Sequence, residues 1–276
     1  MKLGPALASS IEVEDLGNFI DDTDWDFTQK LDGTRLMVVC TDNHIVGLNR
    51  RRTIPVDPRI LKIVKSFNNT LIFDGEMLDG TYWLFDLPLL EGFCDATTPY
   101  WKRREVLSAV EETLRVAGIQ EIQVLPNYWD SKDKEDLQHW CSQNGTEGII
   151  LKRKDSPYSH DARTKDWLKA KYTKTCEAFV LETNLDGKRN ASIGVYDQNS
   201  NIIEICTISL TEKMLNTIRV GDCLEVTYLY ASDIQKLVQP RFLRLRKDRD
   251  PENCLVDQLQ FTSKSILFQL QREGAI

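Results

Sequence analysis

Helix-forming periodicity stops at about residue 174, and this break constrains the fold more than any other feature of the chain. Before it, helix-like and strand-like stretches alternate. After it, the short β-rich runs "CEAFVLETN", "ASIGVYD", "NIIEICTISL", "DCLEVTYLY" and "RFLRLR" follow one another with turn residues between them. Such a change implies two domains, and 276 residues are enough for each to bury a core. The expected class is α+β, with a mixed domain over residues 1–174 followed by a small β-barrel over residues 175–276.

Within the first domain, "RLMVVCTDNHIVGL" sets two apolar β-branched stretches around the polar "TDNH", the pattern of a hairpin. A second hairpin is expected in "TLIFDGEMLDGTYWLFDL", where Asp79 and Gly80 suit a tight two-residue turn. Between them Asp57 can cap a helix that begins at Pro58 and aligns Ile60, Ile63, Val64 and Phe67 on one face. A longer helix is predicted over Tyr100 to Ala117, with Val106, Val110 and Leu114 spaced by four and Gly118 as its stop. A third is predicted over Lys132 to Asn144, stopped by Gly145. "EGIIL" and "DWLKAKY" then read as strands, the second alternating apolar and basic residues.

Composition narrows the function. No apolar run approaches the roughly 18 residues of a membrane span, and "MKLGPALASS" is too short and too broken by Pro and Gly for a signal-peptide core. A cytoplasmic chain with no membrane association is expected. The seven cysteines are scattered singly, without metal-ligand spacing, and their odd number suggests reduced, buried thiols. A net charge of -7 argues against binding nucleic acid by diffuse positive charge alone. The charge is unevenly spread: residues 1–27 carry seven acids against Lys2, whereas residues 236–249 carry six bases against Asp248.

The chemistry centres on "QKLDGTRLMVV". A neutral lysine amine is a good nucleophile toward phosphorus, and the phosphoramidate it forms can be protonated on nitrogen and broken again. Around Lys30, Asp32 could orient the amine or a metal, Gly33 allows close backbone approach, and Arg35 could grip a phosphate or sugar. Three further segments supply the rest of a nucleotide pocket. "IFDGEM" puts Asp74 and Glu76 on one side of a strand, suited to a ribose hydroxyl or Mg2+. "TEGIIL" sets Glu147 beside Gly148, and "DWLKAK" puts Lys169 and Lys171 on a common face where they suit an α-phosphate.

Taken in order, K-x-D-G-x-R, F-D-G-E, Y-x-x-F-D, E-G-x-x-L-K and W-L-K-x-K resemble the covalent nucleotidyltransferases, specifically the ATP-dependent DNA ligases of minimal type. "SPYSHDARTKDWLKAKY" and "QPRFLRLRKDRDP" carry the ligase-like detail. The resemblance implies an ATP-grasp-like nucleotidyltransferase domain of antiparallel sheets with helices, followed by an OB-fold domain. It implies that Lys30 carries AMP, passes it to the 5′-phosphate of a nick in duplex DNA, and is followed by sealing through the 3′-hydroxyl. ATP and Mg2+, with Mn2+ as a substitute, are the implied cofactors, and a monomer is expected. By the same resemblance Thr28 and Gln29 flank the adenine edge, Arg35 contacts ribose or nick phosphate, Glu76 the ribose and Phe85 the adenine face. Glu76 and Glu147 hold metal, and Lys169 and Lys171 hold the α-phosphate. Arg50, or its neighbours Arg51 and Arg52, meets the 5′-phosphate, and Arg246 with Arg249 orients pyrophosphate. An mRNA capping guanylyltransferase and an RNA ligase share this lysine chemistry, and an inactive OB-fold nucleic-acid-binding protein is the non-enzymatic alternative.

Overall fold

The computed structural model describes residues 3–41 and 44–261, and these divide after Lys171 into two compact units. Asp42 and Asn43 of the expected first hairpin, and the last part of the domain expected over residues 175–276, lie outside the described residues.

In the first unit the strands are β1 (Leu7–Ile11), β2 (Trp25–Lys30), β3 (Thr34–Thr41), β4 (His44–Leu48), β5 (Thr53–Ile54), β6 (Leu71–Leu78), β7 (Thr81–Leu90), β8 (Ile122–Val124), β9 (Gly148–Arg153) and β10 (Arg163–Lys171). The helices are α1 (Pro58–Ser66), α2 (Tyr100–Val116) and α3 (Ser131–Gln143), with a 3-10 helix over Val13–Phe19. One sheet has the order β1-β10-β9-β2 and the other β5-β4-β3-β6-β7-β8. Both are antiparallel except where β1 joins β10 and β8 joins β7 in parallel.

Local chemistry explains most element ends. The Asp57 side chain accepts from the Arg59 amide ahead of α1, satisfying one of the amides a helix start leaves free. Asp79 and Gly80 turn β6 into β7 with φ of 48° and 83°, the left-handed pair that a two-residue hairpin requires. Gly118 and Gly145 follow α2 and α3 at φ of 69° and 61°. The acidic stretch near residue 22 runs directly into β2, so Asp26 is buried inside a strand, where Tyr100 Oη at 2.8 Å and Asn127 Nδ2 at 3.0 Å donate to it. Burial moves its carboxyl up to about 6, against the pull of Lys152 and Arg104.

Strand β3 shows why its apolar run is continuous rather than alternating. Leu36, Val38 and Cys40 pack with Ile60 and Val64 of α1 and Leu107, Val110 and Leu114 of α2. Met37 and Val39 point the other way and pack with Phe85, Tyr158 and Trp167 in a second core. A strand covered on both faces needs apolar residues on both.

Between these cores lies a fully buried ion pair, Arg103 Nε to Asp86 Oδ1 at 2.8 Å, with Lys152 Nζ 3.6 Å from the same carboxylate. Removing one partner leaves an uncompensated buried charge. Arg103→Met is expected to lower unfolding free energy by about 3 kcal/mol, read as a shifted urea midpoint at constant slope.

The second unit is a five-stranded antiparallel sheet of order β13-β12-β11-β14-β15. Its elements are β11 (Lys174–Thr183), β12 (Asn190–Tyr196), β13 (Ile202–Ser209), α4 (Glu212–Thr217), β14 (Cys223–Tyr228) and β15 (Arg241–Leu245). The outer strands β13 and β15 meet, so the sheet curls around a core that includes Ala178, Val180, Ile193, Val195, Ile205, Leu224 and Val226. The basic run at residues 236–249, read from sequence as a cationic patch, is largely compensated. Arg244 pairs with Glu225, Lys236 lies 3.7 Å from Glu204, and Arg246 pairs with Glu177 and with Asp248 at 2.8 Å. All seven cysteines are buried and unbridged. Among the described residues no helix is long and apolar enough to cross a membrane.

Candidate active site

Register brings distant residues of the first unit into one row. β2 pairs with β9 so that Lys30 faces Gly148, and β9 pairs with β10 so that Gly148 also faces Lys171. Two positions along, Thr28, Ile150 and Lys169 form a second row. Period-2 alternation sends both rows to the same face. In the other sheet Arg35 faces Glu76 across β3 and β6.

The two sheets enclose a cavity of about 160 Å³ lined by Thr28, Gln29, Lys30, Arg35, Glu76, Phe85 and Lys169. Glu147, 5% exposed, forms an ion pair with Lys30 and accepts from Lys171 Nζ at 2.6 Å, so it ties the nucleophile candidate to the second lysine of β10. Nine of the twelve site residues named from sequence therefore line the cavity or belong to the bonded chain Lys30–Glu147–Lys171; Asp32, Arg50 and Arg246 do not.

Those three stand elsewhere. Asp32 sits half-buried in the connection between β2 and β3 and does not line the cavity. Arg50 is exposed with Arg51 and Arg52 on the turn joining β4 to β5, where Asn49 Oδ1 accepts from the amides of Arg51 and Arg52 at 2.8 and 2.9 Å. Arg246 belongs to the second unit and is engaged by that unit's own acids.

Asp74 is not a free acid for ribose or metal. It is fully buried and receives two parallel bonds from Arg35, Nε at 2.8 Å and Nη2 at 2.6 Å. The Arg35 guanidinium also lies 4.4 Å from the centroid of the Phe85 ring, so in this state it covers a ring that the sequence assigns to a base.

Sequence reading contained Lys152 and Trp167 only as letters of E-G-x-x-L-K and W-L-K-x-K and gave them no role, and it did not single out the N-terminal strand. Lys152 lines the cavity at 1% exposure, donates to the Phe85 carbonyl at 2.7 Å, and has its amine within 4.8 Å of the Phe85, Tyr100 and Trp167 ring centroids. Its neighbour in the motif, Glu147, drew attention because an acid beside glycine is conspicuous, whereas nothing local distinguishes a buried lysine from an exposed one. Ala6, Leu7 and Ala8 form another wall, held by the parallel pairing of β1 with β10.

The electrostatics divide the two glutamates. Burial raises the Glu76 carboxyl to about 7, although Arg35 and Lys30 pull it down. Burial acts the same way on Glu147, but Lys30 and Lys171 outweigh it and hold that carboxyl below its usual range. Lys169 is lowered by burial and then by neighbouring Arg163 and Lys171, and burial brings Lys152 down to about 8. Glu76 therefore keeps a proton in the folded chain that the unfolded chain releases near 4.5. Its contribution to stability falls as pH rises from about 5 to about 7. In Glu76→Gln that stretch of the stability curve should flatten, measured as urea midpoints at pH 5 and pH 8.

Among the described residues no group of three acids, histidines or cysteines is arranged to hold a metal. Glu76 and Glu147 flank Lys30, a donor set that suits a divalent ion taking its other ligands from a bound phosphate and water. Chemically, the row can present an amine to an electrophile, orient it through a touching carboxylate, and neutralise an anion with two further lysines.

Residues 79–171 match the profile of the ATP dependent DNA ligase domain, a span that includes Phe85, Glu147, Lys169 and Lys171 and begins after Lys30, Arg35 and Glu76. The chain is 24% identical over 263 residues to a DNA ligase of Methanocorpusculum labreanum, covering 82% of this chain and 46% of that protein. It is 27% identical over 195 residues to the multifunctional non-homologous end joining protein LigD of Mycobacterium bovis, covering 62% of this chain and 24% of that protein. The chain thus spans less than half the length of these relatives. Among solved structures, a Lig E DNA ligase superposes with a TM-score of 0.63 at 17% identity, over 89% of this chain and all of that one. A mycobacterial DNA ligase D complexed with ATP and MES superposes with a TM-score of 0.53 at 21% identity, over 91% and 97%. The fold is shared with solved ATP-dependent DNA ligases, and the sequence is similar to that family's over residues 79–171.

Proposed function

We propose that the chain is an ATP-dependent DNA ligase that seals nicks through a lysyl-AMP intermediate, with an adenylation domain over 1–174 and an OB domain over 175–276. One observation carries the reading: the Lys30 amine lines an enclosed cavity while bonded to Glu147, which is itself bonded to Lys171. A solvated surface lysine has neither the enclosure nor the paired acid.

In this reading Glu147 orients the Lys30 amine, which loses its proton to solvent and attacks the α-phosphorus of ATP, forming the N–P bond as the bond to pyrophosphate breaks. Lys169 and Lys171 hold the α-phosphate oxygens whose charge grows in the transition state. The base lies among Thr28, Gln29, Phe85, Ile150 and Trp167, which line the apolar part of the cavity, and Arg35 must leave the Phe85 face for a ring to stack there. Glu76 accepts from a ribose hydroxyl. Mg2+, or Mn2+, would be held by Glu76 and Glu147 together with nucleotide phosphate oxygens, where it would neutralise phosphate charge. The 5′-phosphate of a nick then takes AMP from Lys30, and the 3′-hydroxyl displaces it. The exposed Arg50, Arg51 and Arg52 suit contact with DNA phosphates, and Arg246 and Arg249 with pyrophosphate once released from their acids.

The test is to incubate the protein with α-labelled ATP or GTP and a divalent ion, then add nicked duplex DNA. Label from ATP, transferred to the 5′-phosphate and followed by sealing, is the expected result. Label from GTP alone would make it a guanylyltransferase, sealing only of RNA strands an RNA ligase, and duplex binding without any adduct an inactive binding protein.

A further inference from the structure

A closed ring of hydrogen bonds behind the cavity joins Arg35 to Tyr158 and Ala6. Arg35 donates from Nε to Asp74 Oδ1 at 2.8 Å and from Nη2 to Asp74 Oδ2 at 2.6 Å. The Tyr158 hydroxyl donates to the same Asp74 Oδ2. That hydroxyl in turn accepts from the amide of Ala6 at 3.0 Å, and the Ala6 carbonyl accepts from Arg35 Nη2 at 3.3 Å. The backbone of one residue of the N-terminal segment thus closes a circuit through Tyr158, Asp74 and Arg35.

We propose that Tyr158 is a positioning residue for nucleotide binding, acting through Asp74 to fix the guanidinium of Arg35 and to lock the N-terminal wall of the cavity against it. This rests on the reading of the site given above. Asp74 and Tyr158 are both buried, so neither bond can be replaced by bulk water when one is lost. The Tyr158 ring cannot wander to another partner, because it packs edge-on against Trp167 at 5.7 Å and His160 at 4.8 Å. Arg35 has two competing attractions, the Asp74 carboxylate and the Phe85 face 4.4 Å away. With the Tyr158 hydroxyl in place, Asp74 keeps both oxygens oriented toward the guanidinium. Without it the carboxylate is free to rotate, Ala6 loses its acceptor, and the wall formed by Ala6, Leu7 and Ala8 loosens at the same moment. Arg35, Phe85 and this wall line the same cavity as Lys30 but take no part in the bonded chain Lys30–Glu147–Lys171, so the cost falls on holding the nucleotide rather than on transferring phosphorus.

The experiment is self-adenylylation kinetics of Tyr158→Phe, which deletes only the oxygen. The KM for ATP should rise about tenfold, while the rate at saturating ATP stays within threefold of wild type. A purely structural role would instead lower the fraction of protein that can be labelled and leave KM unchanged. Tyr82→Phe is the control: among the described residues its buried hydroxyl donates to the Leu36 and Phe73 carbonyls and is not bonded to Asp74, and its KM should match wild type. In an Asp74→Asn background the Tyr158→Phe change should add less than twofold, because the group it acts through is gone. A Tyr158→Phe enzyme with wild-type KM, or one whose effect persists undiminished beside Asp74→Asn, overturns the proposal. A wild-type protein that takes up no label at all overturns the functional reading, and this inference with it.

Discussion

Lys30→Ala is expected to abolish covalent capture of nucleotide, with labelled protein falling at least about 1000-fold to background in an α-labelled ATP assay. Lys30→Arg should fail as completely, since a guanidinium stays protonated and cannot attack phosphorus. The loss should be chemical and not structural. Lys30 is 22% exposed, and Glu147 keeps Lys171 as a partner at 2.6 Å when the first lysine is removed. The thermal midpoint of Lys30→Ala should accordingly stay within about 3 °C of wild type. Pre-adenylylated nicked DNA separates the steps: sealing of that substrate should survive far better than label uptake, because it asks Lys30 to carry nothing. Persistent label on Lys30→Ala would move the nucleophile elsewhere, and buried Lys152 would be the first side chain to examine.

Gly148→Ala should do the opposite, removing the fold along with the chemistry. Gly148 stands between Lys30 and Lys171 in the central row at φ of 149°, a conformation that side chains rarely adopt. A Cβ there would lie 2.0 Å from the carbonyl oxygen of Ala170 and 3.0 Å from the Lys171 Cα. Both obstacles are backbone, so relief requires the β9–β10 pairing itself to part. A loss of about 4 kcal/mol or more in urea unfolding is expected, with labelling falling in parallel. A folded Gly148→Ala protein that retains labelling would mean that this close approach is not needed to hold Glu147 against Lys30.

How much of this was legible beforehand differs by kind of information. Asp57 with Pro58, Asp79 with Gly80, and the glycines after α2 and α3 mark element ends correctly, because capping and left-handed turns are satisfied by residues within a few positions. The helix predicted from Tyr100 to Ala117 is found from Tyr100 to Val116 for the same reason. The N-terminal strands were not legible: β1 draws its stability from pairing with β10, more than 150 residues away, and β2 is disguised by acids that include the buried Asp26. Asp74 looked like a pocket acid because alternation reveals which face a side chain occupies, and not what already stands there. The basic stretch before Arg249 looked cationic because its acidic partners Glu177, Glu204 and Glu225 lie on other strands.

By itself, then, the order of residues determined the local elements, the turn between α/β and all-β halves, and the set of motifs from which Lys30 is proposed as the nucleophile. The tertiary structure alone decided which charges meet. Lys30, Glu147 and Lys171 become one unit through strand register, and Arg35 is claimed by Asp74, Tyr158 and Ala6 in the space behind it. The physical reason is range: backbone geometry and caps act over a few residues, whereas the desolvation and pairing of a charge depend on whatever the folded chain brings within about 4 Å of it.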